Sequence, residues 1–248
     1  MTIHSTVNVK PAAAAYVDGA WTGAEHGSES EPYATIAAAI AASNPGDVIY
    51  IRPGTYTEDL AFAAGEDFTL RSDSPGAVGI VGSMTVTDAT VQLEGINLID
   101  DGAGVALHFT GTLVDVLTIV GCEIASSATG GVAVEMDNTA GTVTILDSML
   151  HADVANVNEI IRVESGTLDM RRCDVTHGSN VAEALVSEGD AATGILCVDC
   201  RFTGSVNGEA AVGAAASHIY EDCDFAVGAI SAVICAATCT IVIDGGTI

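Results

Sequence analysis

Leu117-Thr-Ile-Val-Gly-Cys-Glu-Ile124 alternates apolar and polar residues, breaks at a Gly-Cys pair and then resumes the alternation. A half-buried strand reads this way, because successive side chains point to opposite faces. The same octet recurs as Val91-Gln-Leu-Glu-Gly-Ile-Asn-Leu98, Val143-Thr-Ile-Leu-Asp-Ser-Met-Leu150, Leu168-Asp-Met-Arg-Arg-Cys-Asp-Val175 and Ile195-Leu-Cys-Val-Asp-Cys-Arg-Phe202. It continues one residue shorter in Ile219 to Phe225, and weakly in Ile241 to Ile248. The position after the break holds Ile96, Cys122, Ser148, Cys173, Cys200, Cys223 and Gly245, in steps of 26, 26, 25, 27, 23 and 22 residues. A second series lies between the octets: Gly104-Val-Ala-Leu, Gly131-Val-Ala-Val, Glu159-Ile-Ile-Arg, Glu183-Ala-Leu-Val, Ala211-Val-Gly-Ala and Ala232-Val-Ile-Cys.

A period of 22 to 27 residues built from short strands is too short for a propeller blade and too strand-rich for helical repeats. The spacing predicts an all-β parallel solenoid whose coils stack about 4.8 Å apart, so that equivalent residues form columns. An aromatic content of 4% fits a narrow interior filled with Val, Ile, Leu, Ala and Cys. The leucine-rich-repeat signature is missing. Upstream, an Ala-rich helix is expected over about 34–43, with Ile36 and Ile40 on one face and a stop at Asn44-Pro45-Gly46. It would cap the open end of a coil domain spanning 33–248. Residues 1–32, rich in Gly, Ser and Glu towards their end, are expected as a flexible or partner-bound leader.

The segment Pro32-Tyr33-Ala-Thr-Ile, the following Ala-Ala-Ile, and Pro45-Gly-Asp-Val-Ile-Tyr-Ile-Arg-Pro-Gly-Thr-Tyr-Thr-Glu58 resembles the opening of right-handed parallel β-helix proteins of the pectin-lyase-like superfamily. The close resemblance covers about 30 residues, and the coil pattern extends it to Ile248. The superfamily includes pectate lyases, pectin methylesterases, polygalacturonases, phage tailspikes and non-enzymatic virion proteins, so the fold does not fix the function. Of the polygalacturonase motifs only a trace remains, at Thr176-His177-Gly178. Gly54-Thr-Tyr-Thr-Glu58 is similar to a pectin methylesterase motif, but the downstream catalytic segments are absent, and the motif reads as the end of the first rung. A pectate lyase uses an Arg base beside Asp residues, and only Arg172 with Asp147 and Asp199 resembles that.

The repeat register offers these residues a simpler role. The column before the small residue reads Gly95, Gly121, Asp147, Arg172, Asp199, Asp222 and Asp244, and the column after it reads Asn97, Glu123, Met149, Asp174, Arg201, Asp224 and Gly246. Arg172 and Arg201 then each lie between carboxylates of neighbouring coils, an ion ladder that offsets stacked like charges. Asp199, Asp222 and Asp244 lack an Arg and are weak Ca²⁺ candidates; no other metal or cofactor is expected. Cys197, Cys200, Cys235 and Cys239 have a spacing that invites a zinc reading. Residues 197 and 200, three apart, should however face opposite ways on a straight strand, and Cys200 shares a column with Cys173 and Cys223, which favours buried free thiols. His151 and His177 end adjacent coils and could approach each other. Carbohydrate-stacking aromatics are few: Trp21 in the leader, Tyr50 and Tyr56 in the first rung.

Thirty-three acids against 7 Lys and Arg give 7 − 33 = −26, which excludes a nucleic-acid partner and suits saline, marine or hypersaline, surroundings. No run approaches the roughly 20 apolar residues of a membrane span, and no Sec signal is visible. The end at Asp244-Gly-Gly-Thr-Ile248 without an obvious cap, and the Ala-rich stretches 210–216 and 231–237, point to a homo-oligomer, most simply a trimer. The leading expectation is therefore a non-enzymatic surface protein of a virus particle, a capsid decoration or tail-associated β-helix assembled with other virion proteins. The alternatives are a carbohydrate-active lyase or hydrolase, with Arg172, Asp147 and Asp199 as its site and a polysaccharide as partner, and an exported adhesin at the cell surface.

Overall fold

The computed structural model describes residues 14–100, 102, 104–127, 131–152, 160–177, 184–203, 207–211, 217–226, 231–235 and 240–244. They form a right-handed parallel β-helix. Each coil sends one strand to a sheet of 8 strands and its other strands to a sheet of 15, and the ladders within both are parallel. The coil of Val105–Gly111, Val116–Val120 and Glu123–Ser126 shows the unit. In the next three coils the first two strands run on as one, in Val132–Leu146, Ile161–Arg171 and Ala184–Val198, which merges two faces into the larger sheet.

Inside, equivalent residues stack in register. One column reads Ile49, Leu70, Leu93, Ile119, Ile145, Met170, Cys197, Tyr220, and another Tyr56, Ile80, Leu98, Ile124, Leu150, Val175, Phe202, Phe225. All are at most 5% exposed, so each larger aliphatic contributes about 1.5–3 kcal/mol of burial. Phe202 stacks on Phe225 at 4.9 Å.

The break in each octet is a one-residue corner. Gly95, Gly121, Asp147, Arg172, Asp199 and Asp222 all have φ between 51° and 66°, the left-handed region that Gly adopts freely and Asp tolerates. The next side chain turns inward. Cys122, Ser148, Cys173, Cys200 and Cys223 are buried, and each donates to the carbonyl two residues back, from Ser148 Oγ at 2.7 Å and from the thiols at 3.3–3.4 Å.

The helix Ile36–Ala42 lies within the expected 34–43 and buries Ile36, Ala39 and Ile40. Thr35 Oγ1 caps it by accepting from Ala38 N at 3.1 Å, while the Glu58 carboxylate accepts from Ile36 N and Ala37 N, both at 2.9 Å. Gly54–Glu58 therefore closes the first rung and ties it to the cap, with Tyr56 buried and donating to Arg52 O at 2.9 Å.

Three expectations are corrected. The described part of the leader is built into the body: Ala14–Val17 pairs in parallel with Val48–Ile51, Val17 bridges Tyr33, and Arg52 bonds Asp18 at 3.0 Å and Glu29 O at 2.6 Å. A Gly-, Ser- and Glu-rich composition describes its turns and not a loose tail. In the last coil Glu221 pairs with Asp244, so Asp244 ends a strand and is not in the corner column. The second sequence series slips by one residue at Ile161, which pairs with Val134, and Glu209, not an Ala, stands opposite Val186 and Val233. The side chains of the Ala-rich stretches lie outside the described residues. No helix among the described residues is long and apolar enough to cross a membrane.

Candidate functional site

Two polar constellations stand out on the coil exterior. The first contains the residues singled out from sequence. Arg172 makes a two-pronged pair with Asp147, Nε to Oδ1 at 2.6 Å and Nη2 to Oδ2 at 2.9 Å, and Arg201 Nε reaches Asp174 at 2.7 Å. These carboxylates belong to the preceding coils, as an ion ladder requires. Asp147 is held below the usual carboxylate range by Arg172. The hydrogen bonds to Asp147 push the Arg172 guanidinium higher, and Asp199 adds a smaller pull in the same direction. A guanidinium that serves as a base must lose its proton, so this environment works against such a role. The pair borders an open depression of about 410 Å³, lined by Asn97, Glu123, Met149 and Asp174 among others.

Asp199 and Asp222 are exposed corner residues, and Asp244 is one position out of their column. Among the described residues, no group of three or more His, Cys, Asp or Glu side chains is arranged to hold a metal ion. Cys197 and Cys200 are both buried, although their spacing on a straight strand predicts opposite faces. The left-handed Asp199 between them turns the chain, so both thiols face inward. Cys122, Cys173, Cys197, Cys200 and Cys223 form no disulfide, and burial pushes the Cys122 thiol up. The side chains of Cys235 and Cys239 lie outside the described residues. His151 stands beside Thr176, with its ring 2.9 Å from Glu123 Oε1; His177 pairs with Ala152 instead.

The second constellation was not found from sequence. It stands on the outer face of Val105–Gly111, Val132–Leu146 and Ile161–Arg171, where Thr85, His108, Glu135 and Arg162 form one column and Thr87, Thr110 and Asp137 the next. Alternation fixes this. Val134, Met136 and Asn138 point inward and are buried, leaving Glu135 and Asp137 outward and half-buried. Arg162 Nη1 lies 3.4 Å from Glu135 Oε1, and its Nε lies 3.9 Å from Glu164. His108 Nε2 faces Asp137 Oδ1 at 3.4 Å, outside hydrogen-bonding geometry, and both atoms are shielded from solvent. Three carboxylates, a guanidinium and an imidazole thus converge across three coils. The only signal in the sequence was alternation within Val-Glu-Met-Asp-Asn138, which no corner residue marks.

The sequence profile of a family described as "Protein of unknown function (DUF1565)" matches residues 19–86, about a quarter of the chain, which carry the cap helix and the first coils. No curated protein sequence matches. Among solved structures, YbhC of Escherichia coli superposes with a TM-score of 0.61 at 13% identity, covering 91% of this chain and 74% of that one. The pectin methylesterase of Aspergillus niger gives 0.60 at 17% identity, with 96% and 86% covered. Pectate lyase Pel9A gives 0.56 at 12%, with 94% and 79% covered. At such identities the likeness is one of fold, and the chain shares the parallel β-helix of these proteins.

Proposed function

We propose that the chain is a carbohydrate-active β-helix that hydrolyses a glycan on the outer face formed by His108, Glu135, Asp137 and Arg162. The observation that carries this reading is the pair Glu135 and Asp137, two residues apart on one face of a strand and given different partners. Their Cα atoms are roughly 6.8 Å apart, two strand residues at about 3.4 Å each. Their side chains lean to opposite coils, Glu135 to Arg162 and Asp137 to His108, and glycosidases set their paired carboxyl groups about 5–9.5 Å apart across the scissile bond. Glu135, against a guanidinium, suits the base that takes a proton from the attacking water. Asp137, facing the His108 ring and clear of any guanidinium, is left the part of the acid that protonates the leaving oxygen. The fold neighbours favour a carbohydrate-active chain, which the sequence ranked second, over a virus-particle component, for which neither they nor the described residues give a reason. Arg172 and Asp147 are left a structural role.

The test is release of reducing ends from a panel of polysaccharides. Glu135→Gln and Asp137→Asn should each lower turnover by about 100-fold or more, in line with the usual worth of a positioned acid or base, while Arg172→Ala retains it. Activity that survives both carboxylate changes, or is lost with Arg172, would overturn the assignment.

A further inference from the structure

We infer that the glycan this face accepts is uncharged and that polyuronates are rejected, an inference that rests on the reading of the outer face given above. The face carries Glu135, Asp137 and Glu164 against Arg162 and His108, and Arg162 already stands between two of those carboxylates. A uronate carboxylate laid along it has no free guanidinium to meet. The strand that carries His108 leaves the face through the loop 112–115, whose Leu113 and Val114 are 52% and 83% exposed. This apolar tip is held in place: Asp88 Oδ1 accepts from Thr112 N at 2.7 Å and from Leu113 N at 3.0 Å. Gly111, at φ 131°, lets Asp88 approach, since a Cβ there would stand 2.2 Å from that oxygen.

The loop's surroundings are electronegative. Burial raises the pKa of Asp115, and the charges of Asp88 and Asp67 raise it further. A sugar ring can lay its C–H face on Leu113 and Val114, whereas a carboxylate brought there meets the like charge of Asp88, which sits under the loop. The whole chain, at 7 − 33 = −26, repels a polyanion at longer range.

The experiment measures binding of the full chain to immobilised glycans. Neutral glucans, galactans, mannans and xylans are compared with polygalacturonate and alginate, and polygalacturonate is also compared with its carboxyl-reduced form, which keeps the chain and removes the charge. In 0.1 M NaCl at least one neutral glycan should bind ten-fold or more tighter than either polyuronate, and carboxyl reduction should not weaken binding. In 1 M NaCl the gap should narrow, as the Debye length falls from about 10 to about 3 Å. Val114→Asp, a change at an open site, should weaken the neutral ligand by ten-fold with an unchanged melting temperature. A polyuronate that binds as well as the best neutral glycan, in EDTA or with added Ca²⁺, overturns the inference and leaves the outer-face reading standing. If no glycan of either class binds, that reading fails and the inference falls with it.

Discussion

Glu58 does its work through its carboxylate, which supplies both oxygens to the first free N–H groups of the helix Ile36–Ala42. Few side chains reach those donors from 21 and 22 residues away, and a 7-residue helix gains little from propensity alone. Glu58→Ala should therefore cost about 1–2 kcal/mol, the usual worth of an N-terminal cap, read as a lower urea midpoint, with glycan turnover per folded molecule unchanged. Equal stability of the variant would show that Thr35 suffices. Gly54-Thr-Tyr-Thr-Glu58 was legible as the end of a rung, but its tie to the helix was not, because a contact between residues 58 and 36 leaves no period in the sequence. The corner residues were legible as a column and misread in emphasis. Asp147, Arg172 and Asp199 drew attention as charges, whereas their shared property is a left-handed φ near 52°. Arg172 pairs with Asp147 from a position that Gly95 and Gly121 fill in other coils with no charge at all.

At the scale of elements, the strand Ala14–Val17 and the turns up to Pro32 join the first coil through a parallel ladder, the Arg52 bond to Glu29 O and the ion pair of Asp18 with Arg52 at 3.0 Å. The Asp18 carboxyl is held below its ordinary 3.8, first by the Ala20 N–H and then by Arg52. A lowered folded-state pKa contributes stability that is present above the unfolded value and is lost as pH falls through the folded one. Between pH 5 and 2.5, hydrogen exchange in residues 14–32, corrected for intrinsic rate, should therefore accelerate more than in Val91–Glu94. Asp18→Asn should show the faster exchange already at pH 5 and lose most of the pH dependence. Identical behaviour of wild type and variant would assign the fastening to the parallel ladder between Ala14–Val17 and Val48–Ile51 and to the Arg52 N–H on Val17 O instead. The strands on either side of the corner were legible because coil after coil places a Gly or Asp there, once Arg172, followed from Cys122 to Cys223 by a Cys or Ser. The preceding strands have no such marker, their loops vary in length, and the series slipped by one residue at Ile161. The candidate site lies on those strands, so the face with the most chemistry was the one whose register the sequence left least constrained.

The molecule as a whole sets a large, one-signed charge against a core of stacked aliphatic columns, and these two contributions respond differently to salt. With 33 acids and 7 basic side chains, the coils repel one another along the solenoid axis, while ladders such as Arg172 on Asp147 and Arg201 on Asp174 bridge only particular steps. Each coil is held mainly by its neighbours, so repulsion distributed over many acids lowers every interface at once. Screening should therefore raise the melting temperature with NaCl, steeply at first and then levelling as the Debye length drops below the spacing of surface charges, about 8 Å at 0.15 M and 3 Å at 1 M. Strengthened burial alone would give a different curve, because exclusion of salt from apolar surface keeps growing with concentration. A thermal series from 0.02 to 2 M NaCl, repeated with sucrose as an uncharged excluded solute, separates the two. A rise concentrated below about 0.5 M and missing in sucrose identifies charge repulsion as what limits this fold; a flat response to NaCl would mean that the acids are spaced widely enough along the coils to ignore one another.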